Sequence, residues 1–208
     1  MSPVIGVMLM LVVTVILAAA VSSTSSGLMK TTDAAPTAVF DVKVAKDVEQ
    51  EMGGYSFNTS YMVIKQVTGD AIDTKNLKIV TTNYKAYGQQ TREKLPSDSH
   101  VYGDPNGITQ EGNVPYWNNV AYGYFGSNPL VDFGNYTVKP GVSMTAQSSP
   151  AHELGVWNGT DYDTTAGFGQ MQDMFADWGN VSKGDFVNVK IVDLKSNKVI
   201  FASDVEVM

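Results

Sequence analysis

The chain opens on one apolar run and then changes its periodicity. From Pro3 to Val21 it reads PVIGVMLMLVVTVILAAAV, nineteen residues with Thr14 as the only polar side chain, and no charged residue precedes Lys30. As a helix this run covers roughly 30 Å at about 1.5 Å per residue, the thickness of a bilayer hydrocarbon core. Its eleven Val, Ile and Leu residues favour membrane insertion by roughly 3 to 7 kcal/mol. The run is apolar on every face, which calls for lipid or other helices all round rather than one core-facing stripe.

Residues Ser22 to Ser26, Gly27 and the stretch Thr31 to Thr37 with Pro36 then form a Ser, Thr, Ala and Pro zone. Glycine and proline punctuate the helix end, and the hydroxyls can satisfy backbone groups there. Beyond it the period becomes two. Phe40, Val42 and Val44 alternate with Asp41 and Lys43, which predicts a half-buried strand over Val39 to Ala45. Further strands are expected at Tyr61 to Val67 and Leu77 to Thr82, joined as strand, turn, strand through Thr68-Gly69-Asp70. Phe186 to Val192 and Val199 to Val207 flank Lys195-Ser196-Asn197-Lys198 and should pair as a closing hairpin. Between these groups, about 84–165 is rich in Gly, Asn, Tyr and Pro and too long for a structureless loop, so it reads as an inserted region with short strands. Ala166 to Trp178 can form a short helix with Phe168, Met171, Met174 and Phe175 on one face, weakened by Gly167 and Gly169. The expected class is α+β, a long hydrophobic helix followed by a β-rich, β-sandwich-like head. The expected divisions are 1–28 helix, 29–37 linker and 38–208 outer domain.

The apolar run admits several readings: a cleavable secretory signal, an ordinary membrane anchor, or a core helix of a soluble domain. No Lys or Arg precedes it, as a signal or a cytoplasmic anchor flank would require. The chain reads as though a basic leader has been removed. The stretch Ser2-Pro3-Val4-Ile5-Gly6-Val7-Met8-Leu9-Met10, followed by Leu11 to Ala20, resembles the N-terminus of mature archaeal type IV pilins of the SPVIG type. In that family a prepilin peptidase cuts a basic leader just ahead of this motif, which places the processing site at Met1 and Ser2. Bacterial type IV pilins carry glutamate at the fifth mature position; this chain has Ile5, so the resemblance is to the archaeal group. The segment from Val63 to Val80 also resembles the strand-turn-strand of the archaeal pilin head.

The resemblance implies that Pro3, Val4, Ile5, Gly6, Val7, Met8, Leu9, Met10, Leu11, Val12, Val13, Val15, Ile16 and Leu17 lie in membrane before assembly and in a filament core afterwards. Gly6 and Ala18-Ala19-Ala20 would allow neighbouring helices close approach. The implied partners are other copies of the chain, the membrane, the prepilin peptidase with the assembly machinery, and a surface or glycan ligand if the filament adheres. The implied place is a cell-surface filament, with the precursor in the cytoplasmic membrane. An archaellin shares this architecture but usually starts Gly-Ile-Gly. A monomeric membrane-anchored surface protein, with its working region at Tyr84 to Thr165, belongs to a different class.

Among 208 residues there is no cysteine, which removes disulfides, thiolate metal sites and cysteine nucleophiles. The formal charge of -7 argues against a basic face for nucleic acid. His100 and His152 stand 52 residues apart, outside any catalytic or metal-ligand spacing, and read as solvated surface residues. Asp104-Pro105-Asn106-Gly107 and Asp161-Tyr162-Asp163 do not continue into a calcium-loop pattern and read as turns. No catalytic residue, cofactor or metal is expected. Four Asn-x-Ser/Thr sequons, at Asn58, Asn135, Asn158 and Asn180, mark candidate glycosylation sites of an exported protein. Tyr116, Trp117, Tyr122, Tyr124 and Phe125 either present flat faces to a ligand or a neighbouring subunit or pack within the middle region.

Overall fold

The structure is a computed structural model that describes residues 3–28, 34–52, 55–86, 88–103, 109–123, 125–148, 156–157, 162–163 and 169–208. It divides into two compact units, 1–34 and 35–208. The first contains α1, Pro3–Leu28, 26 residues long. Its one polar side chain over the apolar run is satisfied locally, Thr14 Oγ1 donating to Leu11 O at 2.9 Å. Side chains are described over 6–18 only, a length of about 20 Å. Among the described residues no helix is long and apolar enough to cross a membrane.

The second unit is β-rich. In chain order it carries β1 (Ala38–Met52), β2 (Tyr55–Gly69), β3 (Ile72–Asp73), β4 (Leu77–Asn83), β5 (Thr91–Lys94), β6 (His100–Gly103), β7 (Thr109–Gly112), β8 (Tyr116–Trp117), β9 (Thr137–Val138), β10 (Ser143–Ser148), β11 (Val156–Trp157), β12 (Tyr162–Asp163), the short helix α2 (Gln170–Met174), β13 (Phe186–Asp193) and β14 (Lys198–Glu206). Two antiparallel four-stranded sheets dominate, in the orders β1-β2-β10-β8 and β14-β13-β4-β5. Alternation builds their shared core. Met62 and Ile64 of β2 and Met144 and Ala146 of β10 bury one face of the first sheet, and Leu77, Ile79, Val187, Val189 and Ile191 bury one face of the second; all belong to a single apolar cluster.

The two sheets also join through backbone. Val44 of β1 bridges Val207 in parallel, Met208 N–H donates to Val44 O at 3.0 Å, and Lys46 N–H donates to Met208 O at 3.0 Å. Lys46 reinforces this corner: its Nζ donates to the carbonyls of Trp178 at 3.2 Å and Gly179 at 3.0 Å and to that of Val181, and it lies 5.5 Å from the Trp178 ring centroid.

The C-terminal hairpin is present as expected, in a register from Phe186↔Glu206 to Asp193↔Lys198. Its turn is held by Asp193 Oδ2, which accepts from Ser196 N–H at 2.7 Å and Ser196 Oγ at 2.6 Å. The strand expected at Val39 is also present but runs on to Met52, pairing with β2 past an irregularity between Ala45 and Val48 where Asp47 has φ 52°. The expected strand-turn-strand through Gly69 is corrected. Both strands and the turn exist, but β2 pairs with β1 and β10 while β4 pairs with β13 and β5. Between them β3 and a 3₁₀ turn at Thr74–Asn76 carry the chain from one sheet to the other, too long a path for a tight hairpin. Buried Thr74 fixes that crossover: its hydroxyl donates to Tyr136 O at 2.6 Å and accepts from Gly134 N–H at 3.0 Å.

The stretch 84–165 supplies β5 to one sheet and β8 and β10 to the other. The helix expected over Ala166 to Trp178 is only five residues long. Gly169 stands at its start without a capping side chain, and Asp177, with φ 54°, turns the chain beyond it. The apolar face is as expected at Met171, Met174 and Phe175, all buried; Phe168 lies outside the described residues.

Candidate functional site

The residues expected to drive assembly share one helix. Pro3 opens α1, where its missing N–H leaves no helical bond broken. From Val7 to Leu17 the large apolar side chains are 47% to 72% exposed, an apolar surface interrupted only by Thr14 and of the kind that marks a site of contact with protein or membrane. A Cβ built on Gly6 meets nothing within 4 Å. Its small size therefore answers no packing need among the described residues of its own chain. Met1 and Ser2 lie outside the described residues. The model of the archaeal type IV pilin N-terminus matches residues 1–40.

Residues 1–40 are thus similar to the N-terminus of archaeal type IV pilins.

No curated protein and no solved structure matches the chain. The pilin assignment therefore rests on the N-terminal segment, and the head is read from its own geometry. Among the described residues no group of three or more His, Cys, Asp or Glu side chains could hold a metal ion.

The aromatic residues of the β-rich unit pack mainly on one another. Tyr116 and Phe125 have centroids 5.1 Å apart, Trp117 and Tyr122 4.9 Å, and Trp117 and Tyr136 6.1 Å. Phe125 is buried and Tyr122 keeps an exposed edge, while Tyr124 lies outside the described residues. Tyr136 Oη donates to Pro115 O at 2.6 Å, and burial pushes its phenol well above the ordinary value. Beside it, Asp132 receives the Asn113 N–H, yet its Oδ1 is buried without a hydrogen-bond partner. Burial pushes this carboxyl up to about 6, with the Glu111 charge adding to the shift. Gly112 makes the close approach possible, since a Cβ there would stand 2.8 Å from Asp132 Oδ1.

A second polar cluster brings together residues that the sequence keeps apart. Lys94, at the end of β5, is 2% exposed, and its Nζ lies 2.7 Å from Asp173 Oδ2 on α2 and 3.9 Å from Asp98 Oδ2. His100 Nδ1 lies 2.7 Å from the same Asp173 oxygen and 3.3 Å from Lys94 Nζ. His100 is therefore half exposed but engaged, which corrects its reading as a merely solvated residue. Nothing in the spacing of Lys94, Asp98, His100 and Asp173 foretells this meeting. His152 and the turn at residues 104–107 lie outside the described residues.

The sequons differ in access. Asn135 and Thr137 are both exposed, as are Asn180 and Ser182. Asn58 is exposed on β2 but its Ser60 is buried, and Asn158 lies outside the described residues. On one side of the Val44–Val207 bridge, β1 and β14 border a groove of about 450 Å³, lined by Phe40, Val42, Phe201 and Val205, with Asp41, Asp204 and Glu206 also on its walls.

Proposed function

We propose that the chain is the structural subunit of an archaeal type IV pilus-like filament on the cell surface, made for adhesion. The observation that carries this reading is the SPVIG-type start continuing into α1, whose apolar side chains have no cover of their own. In the precursor α1 crosses the cytoplasmic membrane, and a prepilin peptidase trims the chain ahead of Met1 and Ser2. The assembly machinery then transfers Pro3 to Leu17 from lipid into contact with copies of themselves, so lipid contacts are exchanged for helix packing without exposure to water. The linker, 29–37, leads to the β-rich outer domain, 38–208, which coats the filament and carries glycans. Head-to-tail repetition of one contact generates the polymer and asks for no catalytic group.

The test is to shear intact cells and examine the released material by electron microscopy and mass spectrometry, comparing a deletion strain for attachment and for swimming. Thin filaments of this chain, with attachment lost and swimming kept on deletion, support the reading. Loss of swimming instead identifies an archaellin, and recovery of the chain only as membrane-bound monomers removes the filament.

A further inference from the structure

The Lys94, Asp173 and His100 cluster goes beyond what a structural coat requires. A buried ammonium is expensive unless it is paired, and a pair taken out of water loses much of the hydration that favours its charged form. Lys94 is among the largest fully buried side chains of the head, and its Nζ sits 2.7 Å from Asp173 Oδ2, so the carboxyl carbon is one bond further on. Burial and contact together hold the Lys94 nitrogen and the Asp173 carboxyl against one another, away from bulk water. That is a reacting pair held in place, the condition under which effective concentrations become very large. His100 Nδ1 reaches both groups, at 2.7 Å and 3.3 Å, and its ring is half exposed. It can therefore take a proton from the nitrogen and return one to the departing oxygen.

We propose that Lys94 and Asp173 condense spontaneously into an intramolecular isopeptide bond, with His100 as the proton carrier. The Lys94 Nζ lone pair attacks Asp173 Cγ and the Cγ–N bond forms. His100 relays two of the three ammonium protons to Oδ2, one to free the lone pair before the attack and one after it, the Cγ–Oδ2 bond breaks, and one water leaves. The products are a secondary amide and water; nothing is oxidised or reduced, and no co-reactant enters. The bond ties β5, at the edge of its sheet, to α2 across 79 residues of sequence. It gives a head without cysteine the covalent brace that a disulfide supplies elsewhere. The inference rests on the head alone and stands or falls separately from the filament reading.

The experiment uses the full chain made in a host that does not glycosylate it and held in detergent. Intact mass should fall short of the sequence by one water, and proteolysis should yield a branched peptide joining Lys94 to Asp173. Lys94→Met, which fills the same space without an amine, should show the full mass and a denaturation midpoint lower by on the order of 10 °C, as expected for losing a cross-link over a long loop. His100→Ala keeps both reacting groups and should accumulate the branched peptide at least tenfold more slowly. A wild-type chain that unfolds cooperatively, and so is folded, yet has its full mass overturns the proposal and leaves an ion pair. Water loss mapped to any other residue pair overturns it as well.

Discussion

Replacing Gly6 by Leu separates the two roles that α1 could have. An added side chain at this position meets nothing within 4 Å in its own chain, so the substitution creates no clash within the subunit. Exchanging glycine for leucine in a helix interior favours the helix by roughly 0.5 to 1 kcal/mol, and leucine adds to the apolar surface that inserts into lipid. Folding and membrane insertion should therefore be kept or improved. Packing between helices behaves differently. If Gly6 sits where neighbouring α1 helices approach closely, a leucine forces them apart or off their rotamers, at a cost of roughly 1 to 3 kcal/mol per contact. That cost weakens subunit association by about 5- to 150-fold, and the penalty repeats at every position of the lattice. The assay is the ratio of sheared filament to membrane-held subunit, by quantitative immunoblot and electron microscopy of cells making either form. The expected result is a normal membrane pool with filaments sharply reduced. Filaments of normal amount and diameter would refute close packing at this glycine.

Three further expectations concern the head. Asp132 has its folded pKa raised by burial to about 6, above the unfolded value of about 3.9, so between those values the folded chain holds more protons than the unfolded one. Stability then falls as pH rises through that window, and Asp132→Asn should flatten the fall, raising stability at neutral pH by on the order of 1 to 2 kcal/mol after allowance for partial exposure; parallel pH profiles of the denaturant midpoint for the two proteins would deny it. Gly69 has φ 110°, and a Cβ there would stand 2.2 Å from Thr37 O, so Gly69→Ala should destabilise the head by at least about 2 kcal/mol, read from chemical denaturation, with an unchanged midpoint as the contrary result. Asn135 and Asn180 are the described sequons with both partners exposed, so glycopeptide mapping of native material should find glycan there and bare Asn58; glycan confined to Asn58 would reverse the accessibility argument.

What the sequence disclosed follows from the range of the interactions involved. The C-terminal hairpin was legible because strict alternation from Val187 to Ile191 and a four-residue turn are both local. The full length of β1 was not, because Lys46 to Glu51 carry charge without alternation and are strand only through pairing with β2. The turn at Gly69 was legible as a turn, but its strands part to different sheets for a non-local reason, the crossover held by Thr74 and Tyr136, 62 residues apart. The apolar character of α1 needed no partner to be seen, and the family match falls on the same residues. The Lys94, His100 and Asp173 cluster and the raised pKa of the Asp132 carboxyl left no trace in spacing, because they come from burial, which sequence alone does not display.

The most direct measurement of the central claim is a helical reconstruction by electron cryomicroscopy of sheared native filaments. The account predicts an axial bundle of α-helices carrying the Pro3–Leu28 sequence, with side-chain density from Val7 to Leu17 buried between subunits and the two-sheet heads forming the outer layer. A filament whose interior is built from the head sheets, with the N-terminal helix outside or missing from the core, would contradict it.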